Sequence, residues 1–239
     1  EADGYTLYLM NNTNAVSAAM FKKLPSDTLK NLAMVSTIGA FSIVVLVSPE
    51  SPVKTVKELI AQAKNSGGKF NIGSINIGTT QHLSAELLKS MAGLDAAAVP
   101  FNNTAGVLTA LRGNSIQVAM EFLPPVLGQI RANTLRAVAV TSRNRLASLP
   151  DVPAVSETVP GYEVINWFGI AAPHGTPKAI VSRINADMNA ALKTTALRDL
   201  LDAQGAEPAG GTPEEFAALI QRDFAKWGKV VKASGARVD

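Results

Sequence analysis

The sequence predicts an α/β protein with a mostly parallel, doubly wound sheet. Short apolar runs alternate with amphipathic segments along the chain, which is the pattern of strands joined by crossover helices. Several runs are apolar throughout, as expected for strands that helices cover on both faces. Between them lie clear helix start and stop signals. These three observations define the predicted fold class.

Seven segments are predicted to be strands, because each is apolar or β-branched and is bounded by turn residues. At 239 residues, the chain is long enough for one large domain or two lobes. The predicted strands are YTLYLM (5–10), FSIVVLVS (41–48), KFNIGS (69–74), AAAVPF (96–101), IQVAMEF (116–122), LRAVAVTS (135–142) and VINWFGIAAP (164–173).

Threonines mark the predicted helix starts. Capping boxes are formed by Thr55 with Glu58, and by Thr212 with Glu215 beside Pro213. Three more helices are predicted to start at Thr79 or Thr80, at Thr104 and at Thr176-Pro177, the first two closed by Gly93 and Gly113. The inward faces are predicted to be Leu83, Leu87, Leu88 and Met91; Val107, Leu108 and Leu111; Ile180, Ile184 and Met188; and Phe216, Ile220, Trp227 and Val231.

Composition argues against several classes of protein. The net charge is only +3, and basic residues do not form a stripe, so nucleic acid is not expected as a partner. The longest apolar stretch, FSIVVLV, is too short to span a bilayer as a helix, so direct membrane insertion is not expected. Cysteine is absent, which excludes disulfides and thiolate catalysis.

A turn-rich stretch covers residues 143–163, with prolines at 150, 153 and 160. This spacing of prolines predicts a long connection without regular structure. We expect the chain to pass between two lobes here.

Polar residues collect where predicted strands end. Ligands of open parallel sheets bind beyond the carboxyl ends of the strands, where loops lead into helix starts. The residues at these positions are candidate ligand contacts: Asn12, Thr13 and Asn14; Ser74, Asn76, Gly78, Thr79 and Thr80; Phe101, Asn102, Asn103 and Thr104; and Glu121. Asn, Ser and Thr are also favoured in turns and caps for local reasons, so the alternative for each cluster is a purely structural role.

The segment GSINIGTT (73–80) resembles a phosphate-binding loop, but Thr79 stands where that motif has its lysine. Backbone N–H groups at a helix start hold an anion without a cation. The loop therefore favours a small carboxylate over phosphoryl-transfer chemistry, with no cofactor expected.

Catalysis is not favoured by the two histidines, His82 and His174. Neither has a carboxylate and a hydroxyl at triad-like spacing, and no His or acidic cluster has metal-ligand spacing. The alternative is an α/β enzyme that acts on a small carboxylate, with one of these histidines as its base.

The sequence resembles the Bug-type periplasmic solute receptors of tripartite tricarboxylate transporters. The similar segments cover the chain from end to end and occur in the same order as in the family. It is carried by DGYTLYL, FKKLPSD, SPVKTVKELIAQAK, NIGSINIGTTQHLSAELLKSMAG, VPFNNT, LRAVAVTSRNRLASLPDVPAVSE, PGYEVINWFGIAAPHGTP and AKWGKVVKASG.

This resemblance implies a two-lobed periplasmic binding protein (type II, Venus flytrap) fold, each lobe a mostly parallel doubly wound sheet. It implies lobe 1 at residues 1–44, lobe 2 at 45–141, and a connection followed by the rest of lobe 1 at 142–239. A small organic carboxylate, such as an amino acid, a di- or tricarboxylate or an aromatic acid, would bind between the lobes. The implied protein is periplasmic, monomeric and not an enzyme, and it delivers ligand to membrane permease subunits. A sensor that docks on a signalling partner is the alternative.

The sequence departs from the family pattern in three places. The family begins with a further strand–helix–strand–helix stretch and a Gly-rich ligand loop, so lobe 1 is expected to lack its first strand–helix units. Asn114 and Gln117 replace a Gly and an Asp, and Asn102-Asn103 replace a pair such as Lys-Gly. These substitutions remove charge.

Two single residues complete the predicted site. An ionised Glu121 would repel a second carboxylate and favour an amino acid, unless it is a solvated strand-end acid. Phe168, beside Trp167, either forms an apolar wall of the ligand site or packs at the hinge.

Overall fold

A computed structural model describes residues 1–12, 14–16 and 28–234. The candidate contact Thr13 lies outside the described residues. The strands are β1 (Tyr8–Asn11), β2 (Leu32–Val47), β3 (Phe70–Ile75), β4 (Ala96–Phe101), β5 (Val118–Phe122), β6 (Arg136–Val140), β7 (Ile165–Pro173) and β8 (Ala206–Pro208). The helices are α1 (Thr28–Asn31), α2 (Val56–Asn65), α3 (Thr80–Ala92), α4 (Thr104–Arg112), α5 (Leu127–Arg131), α6 (Lys178–Ala191), α7 (Thr195–Ala203) and α8 (Pro213–Ser234).

The described chain divides into two compact units. Unit 1 is formed by Glu1–Phe41 and Asn166–Val231, and unit 2 is formed mainly by Ser42–Ile165. The chain passes from one unit to the other within β2 and again at the start of β7. The lobe boundaries drawn from the sequence stay a prediction.

Unit 2 contains a five-stranded sheet in the order β4-β3-β5-β2-β6. Strand β3 pairs in parallel with β4 and with β5, whereas β2 runs antiparallel to both β5 and β6. The sheet is therefore mixed, although the sequence predicts a mostly parallel one. An apolar run has the same pattern in either direction, so it does not reveal which way a strand runs.

The core of unit 2 lies against α4 and α5. The predicted inward residues Val107, Leu108 and Leu111 of α4 are buried in it. On α3, Leu83 and Leu88 are buried as predicted, but Met91 is 40% exposed because only the beginning of this helix is buried on most sides.

The turn-rich connection belongs to unit 2 and contains a single 3-10 turn, Val155–Glu157. Its apolar residues Leu146, Leu149 and Ala154 join the unit 2 core. On the surface, the guanidinium of Arg145 donates to both carboxylate oxygens of Glu157, at 2.9 and 2.8 Å. These bonds and a backbone N–H bond from Ala154 hold the pKa of Glu157 at about 2. The predicted irregular connection is confirmed.

Unit 1 contains the strands β1, β7, β2 and β8 in that order. Strand β1 pairs antiparallel with β7, and β8 pairs antiparallel with β2. The long helix α8 buries the predicted inward face, Phe216, Ile220, Trp227 and Val231.

A buried carboxylate joins three segments of unit 1. Asp223 Oδ2 accepts hydrogen bonds from Asn12 Nδ2 at 2.9 Å and from Trp167 Nε1 at 2.7 Å. Asp223 Oδ1 lies 2.9 Å from Lys226 Nζ. Because a buried charge needs partners, this network fixes Asn12, just after β1, against β7 and α8.

Most predicted caps are confirmed. Thr55 and Glu58 form a complete capping box, and Thr212 and Glu215 exchange the same two bonds. The cap at Thr176 is wrong, because its hydroxyl donates to the carbonyl of Pro173 and the cap position is taken by Pro177. Four elements, α1, α5, α7 and β8, and the first nine residues of β2 were not predicted from the sequence.

Replacing Gly169 by alanine should destabilise unit 1. A Cβ at this position on β7 would lie 2.3 Å from Phe216 Cζ, within a ring that packs edge-on against Trp167 at 5.4 Å. The free energy of unfolding should fall by about 1–3 kcal/mol, as for other overpacked cores. Urea denaturation of Gly169→Ala measures this loss.

Gly228→Ala is the matched control. A Cβ at this position in α8 meets no described atom within 4 Å, so alanine should be neutral or add about 0.5–1 kcal/mol. Equal stability of the two variants would contradict the expected clash at Gly169.

Candidate functional site

Three strands of unit 2 end at one edge of the sheet. The β3–β4 register pairs Ile75 with Phe101, and the β3–β5 register pairs Gly73 with Ala119. Continuing the second register by two residues places Glu121 beside Ile75. The candidate contacts that follow β3, β4 and β5 are therefore brought together at this edge.

The loop between β3 and α3 turns sharply at Asn76 and Gly78, whose φ angles are 24° and 84°. Thr79 caps α3, because its hydroxyl oxygen accepts from His82 N at 3.2 Å. The same hydroxyl donates towards the carbonyls of Ile75 and Asn76. The side chain of Thr79 thus has a structural use, and the helix start that it caps lies at this edge of the sheet.

The loop between β4 and α4 repeats this arrangement. Asn103 caps α4, with its side-chain oxygen accepting from Gly106 N at 2.9 Å. Asn102 is exposed, while Phe101 and Thr104 are half-buried. Two helix starts with positive dipole ends therefore meet at the same sheet edge, which favours a negatively charged group there.

Buried polar atoms without partners are concentrated at this edge. Within the described parts of the chain, no hydrogen-bond partner is present for Ser42 Oγ, Ser74 Oγ, His82 Nδ1 or Glu121 Oε2. Ser42 belongs to the edge because its carbonyl accepts from Leu123 N, just beyond β5. Since buried polar groups are normally bonded, this cluster is suited to a polar ligand.

Glu121 is the only acidic residue among the candidate contacts, and it is 1% exposed. Its Oε1 accepts from Gln81 Nε2 at 3.1 Å and from the backbone N–H of Phe122 at 2.8 Å. Gln81, in the first turn of α3, is also buried. One oxygen of the carboxylate is therefore held by two donors. The expectation of a solvated strand-end acid is wrong, because the side chain lies inside the protein.

The two histidines have different environments. His82 is 6% exposed, and this burial lowers its pKa below the ordinary value of 6.5. The nearby charge of Glu86 raises the pKa and that of Lys89 lowers it further. His174 is exposed, and its backbone N–H bonds to Asn31 O. In the described chain, no group of three His, Cys, Asp or Glu residues could hold a metal ion.

The remaining candidate contacts lie in unit 1. Asn12 is fully buried and its amide donates to Asp223, as described above. Asn14 accepts from Asn11 N and donates to Tyr8 Oη, and Phe168 packs edge-on against Phe41 at 5.3 Å. Contact of these residues with a ligand stays a prediction.

Two residues at this edge, Gln81 and Ser42, were not predicted from the sequence to be part of the site. Gln81 follows the caps of α3, a position from which a first-turn side chain reaches the sheet edge, so it could have been included. Ser42 lies inside an apolar run and gives no such signal.

The substituted residues Asn114 and Gln117 lie at the opposite edge of the sheet. Gln117 Oε1 accepts from Asn71 N at 2.9 Å, and both residues line a cavity of about 350 Å³ with Glu50 and Gln62. The loss of charge at these positions therefore does not affect the edge that holds Glu121.

The fold is that of a periplasmic solute-binding protein, because similar solved structures belong to this class. The family model of the tripartite tricarboxylate transporter family receptor matches residues 1–236, so the chain belongs to this family. The family and the α/β periplasmic binding-protein fold predicted from the sequence are confirmed, whereas the predicted mostly parallel sheet is wrong because β2 runs antiparallel to β5 and β6.

Three known proteins illustrate the similarity. BugT of Bordetella pertussis is 31% identical over 240 residues, which cover 99% of this chain and 74% of BugT. A protein of R. palustris solved with adipate is 32% identical, with a TM-score of 0.82 and coverage of 100% and 81% of the two chains. MatC from Rhodopseudomonas palustris with bound malate is 26% identical, with a TM-score of 0.76 and coverage of 97% and 80%.

None of the described helices has both the length and the apolar character needed to cross a membrane.

The stability of the protein should depend on pH through His82. Its folded pKa is depressed, so below pH 6.5 the unfolded state binds a proton that the folded state does not. Stability should therefore be complete above pH 6.5 and fall below it, by at most about 1.4 kcal/mol per pH unit. Urea denaturation at pH 7.5 and 5.5 should show a smaller fall for His82→Gln than for the wild type.

His174→Gln serves as the control for this measurement, because it removes an exposed histidine. It should retain the wild-type fall. If His82→Gln lost as much stability on acidification as the wild type, burial of His82 would not be the cause.

Proposed function

We propose that this protein is a periplasmic receptor that binds a small organic carboxylate and delivers it to the membrane subunits of a tripartite tricarboxylate-type transporter. The observation that carries the proposal is the edge of the unit 2 sheet, where the starts of α3 and α4 meet buried, unpartnered polar atoms. The ligand carboxylate binds at the starts of these helices, where the positive dipole ends favour a negative charge.

The chemistry of the edge supports a carboxylate rather than a phosphate. The segments 73–82 and 101–104 contain no lysine or arginine. Neutral amides, hydroxyls and helix dipoles are sufficient for a singly charged carboxylate, because the N–H groups are already oriented. A phosphoryl group generally has a cation or metal beside it.

The family supports the same class of ligand. Two similar proteins of known structure hold dicarboxylates, adipate in one and malate in the other. Their similarity to this chain covers 100% and 97% of it, and this range includes the edge of unit 2. We extend the carboxylate class to this chain, but not the individual ligands.

Binding without chemistry is the simplest use of this edge. A base needs an accessible nitrogen and an orienting partner, and His82 is buried with Nδ1 unpaired among the described residues. His174 is exposed, in the loop before α6. The receptor therefore releases its ligand unchanged.

Asn102→Asp should weaken carboxylate binding. Asn102 is exposed one residue before the cap of α4, so an added negative charge there repels the bound carboxylate but does not disturb the core. At several ångströms and an effective dielectric constant near 20, the repulsion amounts to about tenfold in affinity or more. Isothermal titration calorimetry with malate, adipate, succinate and L-aspartate measures it.

Asn114→Asp is the matched control, because it adds the same charge at the exposed opposite edge of unit 2. It should bind like the wild type. Equal weakening by both variants would place the ligand elsewhere, and no binding of any carboxylate by the wild type would refute the proposed function. Uptake of the bound carboxylate by cells with and without the gene distinguishes a transport receptor from a sensor.

A further inference from the structure

The carboxylate of Glu121 is held in one orientation. Gln81 Nε2 and the N–H of Phe122 both donate to Oε1, at 3.1 and 2.8 Å. Two donors on the same oxygen prevent free rotation of the group. The second oxygen, Oε2, is therefore fixed in place as an acceptor.

Nothing in the described structure satisfies this second oxygen. Oε2 is buried and has no hydrogen-bond partner among residues 1–12, 14–16 and 28–234. In the same residues, no lysine, arginine or histidine forms an ion pair with Glu121, whose side chain is almost completely buried. A buried carboxylate without a cation is unfavourable, so a bound cation would be stabilised here.

The same edge also attracts anions, because α3 and α4 begin there with their positive dipole ends. Glu121 and these helix starts lie at the same edge, since β3, β4 and β5 are parallel and in register. One small molecule that carries both charges could satisfy both features. A dicarboxylate without an amine would bring its second carboxylate towards Glu121 with no positive charge to offset the repulsion between like charges.

We infer that Glu121 is a specificity-determining residue that selects ligands carrying a protonated amine together with a carboxylate. The amine donates to Oε2, and the carboxylate is bound at the helix starts. Gln81 is a positioning residue, because it acts on the ligand only through Glu121. This inference rests on the proposed function and narrows its ligand class to amino acids and related aminocarboxylates.

Calorimetry with pairs of ligands that differ mainly by an amine tests the inference. The pairs are L-aspartate and succinate, L-glutamate and glutarate, and 4-aminobutyrate and butyrate, titrated at pH 7.5. In at least one pair, the wild type should bind the member with the amine at least tenfold more tightly. This comparison needs no variant and is independent of any effect on folding.

Glu121→Gln should remove this preference. The variant keeps the size of the side chain, and its amide oxygen can accept from Gln81 and Phe122 as Oε1 does. The amide NH₂ then replaces the acceptor Oε2 by a donor, so the ratio of affinities should fall to about one or below. Glu50→Gln, which removes an exposed carboxylate at the opposite edge, should keep the wild-type ratio.

The other possible results of these titrations overturn the inference alone or together with the proposed function. If succinate, glutarate or butyrate binds and no amine-bearing partner binds more tightly, the inference is wrong while the proposed function stands. If Glu121→Gln keeps the preference, Glu121 is not its cause. If no member of any pair binds, this inference is overturned, and the proposed function is overturned with it when malate and adipate also fail to bind.

Discussion

The parallel, in-register pairing of β3 with β4 and β5 is the constraint on which the rest of the site depends. It makes three strands end at one level, so that the loops before α3 and α4 and the side chain of Glu121 meet. Parallel strands also require crossover helices, and each helix must begin near the strand end that precedes it. The donors at the helix starts are thus a consequence of the sheet.

Short-range signals in the sequence were reliable where the physical cause is local. Thr55 with Glu58, Thr79, Gly93 and the Thr212 box all act within one helical turn, and the structure has each of them. The buried stripe of α8 follows in the same way from its periodicity. The grouping of polar residues at the edge of unit 2 needed only the order of strands and the rule for parallel sheets.

Features that depend on distant parts of the chain were not predictable. The direction of β2 is set by its partners β5 and β6, and its residues Gly39–Phe41 are paired by β8, far along the chain. The burial of Glu121 and its bond to Gln81 join positions 40 residues apart. Asn12 looked like a loop amide, but its partner is Asp223, which no local pattern could identify.

The bond between Asn12 and Asp223 affects the order in which the two units can fold during synthesis. It joins residues 211 positions apart, whereas nearly all of unit 2 lies within one uninterrupted stretch, Ser42–Ile165. During synthesis, unit 2 has its five strands available before most of α6–α8 exists, because chains emerge from the amino terminus. Unit 1 is completed after unit 2, when Asp223 of α8 becomes available to Asn12.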